Sequence, residues 1–547
     1  MSSHKVDLPS EYPSLSRDPS TTENSASRDH KIALDNLYDD DADGTIDQVY
    51  QAKARILNAA IQDIGMGKYQ VYLFCCAGFG WFADSVWPVR ITFFICLLTY
   101  ENAQLITGLI LTPVINEFNF QGPFLTLAAN VGLLVGAIIW SFGCDIWGRR
   151  WSFNLTLLIA GVFGLAAGGS QNMVTLASLI ATLGVGVGGN MPVDSAVFLD
   201  LVPGTHQYLL TVMSIWWCLG QLVVSLLAWP LIANFSCQGP ENCTRSENMG
   251  WRYLLFILGA LTLLLWGIRF FVFQLFESPR FLIGIGKDAE AVEVIQKLAK
   301  FNSKTSNLTV EQLVNAGGVD PEKVRADRPR VLSASSALGW NHVKALFRTR
   351  KMAFSTSLLI FLWGIIGLAS TLYNSFLPFL LESRGNAFGD GSLFITYRNT
   401  FILSVIGVPG AFLAGWAVEL PYIGRKGTLA LSSGEQGSQV PFFSRRPPRG
   451  ALMLCSDGTV DILSLVTCIM YGVLYAISPE IFPAKDRGTG NGLVSSATRI
   501  FSVIAPIIAL FANLETATPV YISGALIILA GFTALLLPYE PRGRASI

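Results

Sequence analysis

Long apolar runs separated by short polar turns dominate the chain from Val71 onward. They occupy roughly 124–141, 152–169, 173–199, 208–233, 252–274, 352–381, 395–418, 461–478, 489–512 and 517–537, each close to the roughly 20 residues that a helix needs to cross hydrocarbon. Lipid offers no hydrogen-bond partners, so a spanning segment must satisfy its own backbone, and these runs are too continuous for the alternating pattern of a barrel strand. The expected fold class is an all-α polytopic membrane protein. Residues 1–70 are polar, rich in Ser and Asp, and lack the basic start, apolar core and cleavage site of a signal peptide; they predict a disordered cytosolic tail.

Two regions break the pattern. The apolar stretch 71–114 is too long for one helix and is interrupted only by Asp84, Arg90 and Tyr100-Glu101-Asn102. Charge asymmetry assigns the sides. Loop 234–250 holds two acceptor sequons, at Asn234 and Asn242, and a single basic residue, Arg245, so it reads as external and glycosylated. Segment 276–351 is rich in Lys and Arg and reads as cytosolic. With the tail inside, 71–114 must cross an odd number of times, which favours one span plus an embedded or misread insert. The second break follows Ser433, where Gly434-Glu435-Gln436-Gly437 and Ser444-Arg445-Arg446-Pro447-Pro448-Arg449 stand in place of a span; no helix of that composition is expected in lipid. The chain thus reads as six spans, a central cytosolic segment, and five clear spans with the ninth degraded.

Composition narrows the chemistry. Charged residues make up 14% of the 547, against about 25% in a soluble domain, so a soluble enzyme is disfavoured. Lys+Arg 38 balances Asp+Glu 38, which leaves no global field for nucleic acid. Only four histidines occur, two of them (His4 and His30) in the tail, so no metal or cofactor site is expected. The nine cysteines form no CxxC framework, and although Cys237 and Cys243 share a polar loop, no disulfide scaffold is implied. Gly184-Val185-Gly186-Val187-Gly188-Gly189 matches GxGxxG in letters only, since no strand precedes it; helix packing is the reading, and with no GxxxxGK[ST] there is no ATP motor.

Charges buried in spans are costly, about 2.5 to 3.5 kcal/mol at a helix centre on insertion scales, and tend to line cavities. Asp84, Asp194 and Arg398 are such charges. Asp84 follows Trp81 by three residues and Asp194 follows Asn190 by four, so each pair shares a helix face. Either carboxylate suits proton coupling, or a structural ion pair with a nearby arginine. Trp217 and Gln221, Tyr373 and Asn374, and Tyr471 and Tyr475 are candidates for the cavity wall.

Gly143-Cys144-Asp145-Ile146-Trp147-Gly148-Arg149-Arg150 fills the turn between the second and third spans, and a weaker echo, Gly415 to Glu419 followed by Gly424-Arg425-Lys426, comes one six-helix half later. Gly143 and Gly148 permit a tight turn, while Asp145 can pair with Arg149 or Arg150, and Glu419 with Arg425. Glu480 and Arg487 flank a membrane edge and suit a gating salt bridge or a solvated pair. These motifs, with Glu277-Ser278-Pro279-Arg280-Phe281-Leu282, Gly78 to Asp84, Gly186 to Asp194, and Ser478 to Pro483 with Arg487 to Gly490, resemble the major facilitator superfamily. Within it they are similar to the sugar-porter-like signatures of the synaptic vesicle protein and organic-ion transporter branch in its fungal form. The resemblance covers roughly residues 65–540. It implies two pseudo-symmetric halves, 71–275 and 352–538, joined by 276–351 and followed by a cytosolic tail at 539–547. It implies secondary transport of a small organic solute (sugar, polyol, carboxylate or organic ion) with protons, by alternating access across the plasma membrane, in a chain that is a monomer by default. It also implies that most of Val89–Ile106 is an insert, as a translated intron would be, and that 434–468 reads one base out of register. A non-transporting nutrient sensor of the same fold is the alternative.

Overall fold

Residues whose side chains are apolar all round cannot choose a single buried face, so in this chain packing is decided by where small residues let helices approach. The structure, a computed structural model, describes residues 48–87, 110–120, 123–237, 243–316, 340–383, 393–445, 459–483, 486–511 and 518–541. Among these residues the secondary structure is helical throughout. The first part contains α1 (Gln48–Ile64), α2 (Lys68–Val86), α3 (Leu111–Phe118), α4 (Pro123–Ile146), α5 (Arg149–Ala167), α6 (Met173–Val187), α7 (Asn190–Leu201), α8 (Ser214–Phe235) and α9 (Gly250–Gly267). A π turn, Ile268–Val272, continues α9. The central segment carries α10 (Pro279–Gly284), α11 (Asp288–Phe301), α12 (Val310–Ala316) and α13 (Trp340–Leu346). The second half contains α14 (Arg350–Ser383), α15 (Leu393–Ala417), α16 (Gly424–Arg445), α17 (Thr459–Ile481), α18 (Arg487–Phe511) and α19 (Thr518–Leu535).

Six helical stretches among the described residues are long and apolar enough to cross a membrane, from Leu127–Ile146 to Arg350–Leu372. Parts of α15, α17 and α19 form shorter apolar helices. The two halves meet chiefly through α4 against α18 and α8 against α15. The glycine-rich run is a packing device: a Cβ at Gly188 would collide with the Leu133 carbonyl oxygen of α4.

Four features differ from the sequence expectation. The polar tail expected to be disordered up to residue 70 contains α1, because Tyr50, Ala54, Leu57, Ile61 and Ile64 recur at helical spacing and are buried. Its polar side is tied down by Lys53 to Asp288 at 2.5 Å and by Lys304, which donates to the Ile64 carbonyl. The region expected to hold a degraded ninth span contains a helix, α16, which packs against α17 and α19 but is not among the described helices apolar enough to cross a membrane. Some of its polar side chains turn inward: Ser432, Ser433 and Gln436 are buried, and Ser432 Oγ donates to the Thr428 carbonyl at 2.8 Å. Cys237 and Cys243 form a disulfide with Cα atoms 5.8 Å apart, a single loop staple where no bridge was expected. In the stretch 71–114 the described crossing is α2 alone, and 88–109 lie outside the described residues, as do 446–458 within the segment expected to be out of frame.

On the face opposite the central segment, Glu117 of α3 ties the first half together. Its carboxylate accepts from Arg252 Nη2 at 2.6 Å and Nη1 at 2.8 Å, Trp251 Nε1 at 3.0 Å and Asn248 Nδ2 at 3.1 Å. Burial alone pushes this carboxyl up, but the hydrogen bonds from Arg252, Trp251 and Asn248 outweigh it and hold it below its ordinary value of 4.5. A depressed carboxyl stabilises the folded state above its unfolded value and loses that contribution as pH falls through the folded value. Glu117→Gln is therefore expected to lower the melting temperature in detergent at neutral pH, with the gap from wild type closing as pH drops below 4.5; melting curves across pH would check both the deficit and its disappearance.

Candidate functional site

One hollow is walled from both halves. Asp84 and Ser85 reach it from α2, Trp217 and Gln221 from α8, Tyr471 and Tyr475 from α17, and Arg499 from α18. Its empty volume is about 350 Å³ with open solvent included, and the part clear enough for a water centre is about 10 Å³, on the order of one water. Tyr471 and Tyr475 lie four apart on one face of α17. Tyr471 donates to Ser370 Oγ at 2.8 Å. The Tyr475 ring stands edge-on to Trp363 with centroids 4.6 Å apart, and Trp363 in turn donates to Ser478 Oγ at 2.7 Å. Trp217 faces Tyr471 at 5.9 Å and Trp81 faces Tyr475 at 5.7 Å. Rings from opposite halves thus close the hollow between them.

Five of the sequence candidates, Asp84, Trp217, Gln221, Tyr471 and Tyr475, come together here. Trp81 lies behind the wall and is buried. Asp194 does not line this hollow. It is fully buried and pairs with Arg269 of the π turn, whose guanidinium lies 3.0 Å from the centroid of the Phe153 ring. Asn190, one turn before it, is also fully buried, and its amide has no hydrogen-bond partner among the described residues. Arg398, Tyr373 and Asn374 fall on α15 and α14, but their side chains lie outside the described residues. Asn234 is exposed at the end of α8, and Asn242 lies outside the described residues. Sequence reasoning missed Arg499, although an arginine within the 489–512 run carries the same signal that singled out Arg398.

A second cluster closes the central-segment face. Asp200, at the end of α7, is fully buried and takes Arg149 from its own half and Arg487 Nη1 from the other half at 2.7 Å. Ser278 Oγ donates to its other oxygen at 2.6 Å. Asp145 accepts from the Thr489 backbone N–H at 2.8 Å and hydroxyl at 3.0 Å, so an acid of one half caps the first turn of α18 in the other, where a negative charge meets the positive end of the helix. Arg149 is only loosely paired with Asp145, at 3.9 Å. Behind the seam, Asn58 of α1 accepts from Arg280 Nε at 3.1 Å and Nη2 at 2.6 Å. Burial lowers Arg280 to about 10, with nearby Tyr50 opposing and Arg149 reinforcing the shift, so it stays charged at neutral pH.

The two halves repeat one device. Glu277 accepts from the backbone N–H groups of Arg149 at 3.0 Å and Arg150 at 3.4 Å; Glu540 accepts from those of Arg425 at 3.0 Å and Lys426 at 3.2 Å. Gly148, just before α5, and Gly424, the first residue of α16, are left-handed, at φ 93° and 59°, and a Cβ on either would lie about 2.9 Å from the glutamate. Glu480 pairs with Arg425, at 2.5 and 3.0 Å, and Glu419 with Arg425 at 3.3 Å. Glu480 and Arg487, expected as a gating bridge or a solvated pair, are both buried and take other partners: Glu480 pairs with Arg425, and Arg487 with Asp200 of the other half. Gly143 lies beneath the Trp147 ring, so close that a Cβ there would stand 2.8 Å from it.

These paired halves have counterparts among known proteins. Residues 117–540 match the family model for "Sugar (and other) transporter". The chain belongs to this family of the major facilitator superfamily. It is 64% identical over 507 residues to the MFS siderochrome iron transporter 1 of Ceriporiopsis subvermispora, covering 92% of this chain and 94% of that one. It is 37% identical to the major facilitator-type transporter hxnZ of Emericella nidulans, covering 91% and 88%. A crystal structure of the proton:xylose symporter XylE shares the fold, with a TM-score of 0.58 at 16% identity over 87% of this chain and 97% of that one. The chain is a multi-pass membrane protein of a transporter family.

The seam at Asp200 joins the two halves on the central-segment face. Asp200→Asn leaves three buried arginines, Arg149, Arg280 and Arg487, short of a counter-charge, a loss of about 3 to 5 kcal/mol when one partner of a buried pair is removed. Alkylation of Cys144, buried beside Asp145, by N-ethylmaleimide is expected to speed up at least about tenfold in this variant; site-resolved mass spectrometry would read it, and unchanged labelling would show that the seam does not govern access.

Proposed function

We propose that this chain is a secondary active transporter of small organic anions, carrying a planar carboxylate together with a proton by alternating access. The observation that carries the reading is the pairing of unlike groups around one hollow: Asp84 from one half, Arg499 from the other, and the rings of Trp217, Tyr471 and Tyr475 between them. A guanidinium binds a carboxylate through two parallel hydrogen bonds, and aromatic walls suit a flat cargo. An ionised Asp84 repels an anion in the same small space. Protonation removes that repulsion, so proton and cargo each favour the other's binding, and the coupling is reciprocal. Inward movement of both down a proton gradient then needs no further energy source.

The central segment is read as cytosolic from its thirteen Lys and Arg against eight Asp and Glu over 276–351. The Cys237–Cys243 bridge on the opposite face agrees with an oxidising exterior, and the plasma membrane is the proposed location. Asn234 and Asn242 remain proposed glycan sites. The name of the 64%-identical relative favours a second cargo, an iron-loaded siderochrome, which belongs in the same test.

Purified protein in liposomes, given labelled nicotinate, benzoate, choline, xylose or ferrichrome with an acidic exterior, would separate these. Nicotinate or benzoate is expected to accumulate. Arg499→Gln is expected to weaken apparent affinity about 10- to 100-fold, the loss of a charged hydrogen bond worth about 1.5 to 3 kcal/mol. Asp84→Asn is expected to keep exchange of cargo across the membrane but lose accumulation driven by pH. Accumulation by Asp84→Asn that follows pH as steeply as wild type would remove Asp84 as the proton site, and uptake of ferrichrome alone would replace the carboxylate.

A further inference from the structure

Two thiols meet where the halves touch. Cys218 of α8 and Cys468 of α17 lie with their sulfur atoms 3.4 Å apart, both buried and both free. They belong to opposite halves, 250 residues apart in sequence. Cys218 follows the cavity residue Trp217, and Cys468 stands three and seven residues before Tyr471 and Tyr475, on the same stripe of α17. The pair therefore sits next to the wall of the hollow, one residue from Trp217 on α8 and one turn from Tyr471 on α17.

We infer that Cys218 and Cys468 form an oxidation site for hydrogen peroxide whose product, a disulfide between the halves, locks the transporter. One sulfur attacks a peroxide oxygen, the O–O bond breaks, and a sulfenic acid and one water result. The second sulfur then displaces the sulfenic oxygen, which leaves with a proton as a second water. Two thiols are oxidised, one peroxide is reduced, and their four hydrogens end in two waters. The sulfur atoms need to close from 3.4 Å to about 2.05 Å. Once bonded, α8 and α17 cannot separate, and rocking of one half against the other stops. This lock rests on the alternating-access reading; the bond itself does not.

The test uses the full chain with a protease site inserted between residues 317 and 339, oxidised with hydrogen peroxide, cleaved, and run on a non-reducing gel. The halves are expected to stay joined, to separate after dithiothreitol, and to separate without it in Cys218→Ser or Cys468→Ser; the Cys237–Cys243 bridge lies within one half and holds nothing across the cut. Halves that separate in oxidised wild type, with both cysteines found as thiols by mass spectrometry, would overturn the site. For the lock, amide hydrogen exchange over 143–150 and 487–491 is expected to slow at least about tenfold on oxidation and recover on reduction. Exchange that stays unchanged in cross-linked protein would overturn it. Neither readout uses a transported solute, so a failed cargo assignment leaves both results standing.

Discussion

One buried carboxylate shared by three arginines, Arg149, Arg280 and Arg487, joins the halves. Asp200 accepts Arg149 from its own half and Arg487 from the other, and none of the three is exposed by more than about 1%. In so low a dielectric an unpaired charge costs several kcal/mol, far more than a surface ion pair contributes. Separating these groups without letting water reach them is therefore costly. The repeat in the second half is not equivalent. Glu480 keeps Arg425 within its own half, whereas Asp200 and Asp145 of the first half reach across to Arg487 and Thr489. Opening this face comes down to freeing the first turn of α18.

The same interaction explains the backbone around it. Arg149 can serve Asp200 only if α5 starts sharply after α4, which Gly148 allows by taking a left-handed φ of 93°. Glu277 then gathers the free N–H groups of that helix start, and Ser278 beside it donates to Asp200. The start of the central segment is thus part of the seam, and through Arg280 and Asn58 so is α1. Covering the seam with a helix from the tail buries the apolar stripe of α1 and the guanidinium of Arg280 together.

Much of this was legible in the chain. Helix content follows from run length and from the backbone's need for partners in lipid, and the Gly143 to Arg150 turn and its echo marked both helix starts. What failed to show were partners distant in sequence. Asp200 ends an apolar run and reads as a boundary residue; only folding reveals Arg487, 287 residues later, as its partner. Asp84 and Asp194 gave one signal, a carboxylate in a span, yet one lines the hollow and the other pairs with Arg269, because helix spacing reports a face and not the neighbour it meets. The α1 stripe was diluted by the polar residues around it, and α16 was discounted because lipid was assumed on all its sides when two helices cover it.

Seam and hollow are linked through the rings. Tyr471 and Tyr475 are fixed to their own half, one by Ser370 and the other by Trp363, while the rings they face, Trp217 and Trp81, belong to the other half. In the proposed cycle, separating the halves at Asp200 draws Trp217 away from Tyr471, and the space between widens from the room of a single water. Cargo bound between these rings resists that separation until its own contacts shift from one half to both. A site this narrow, built from residues of both halves, thereby makes occupancy and rocking one event, since no movement of the halves leaves the hollow unchanged.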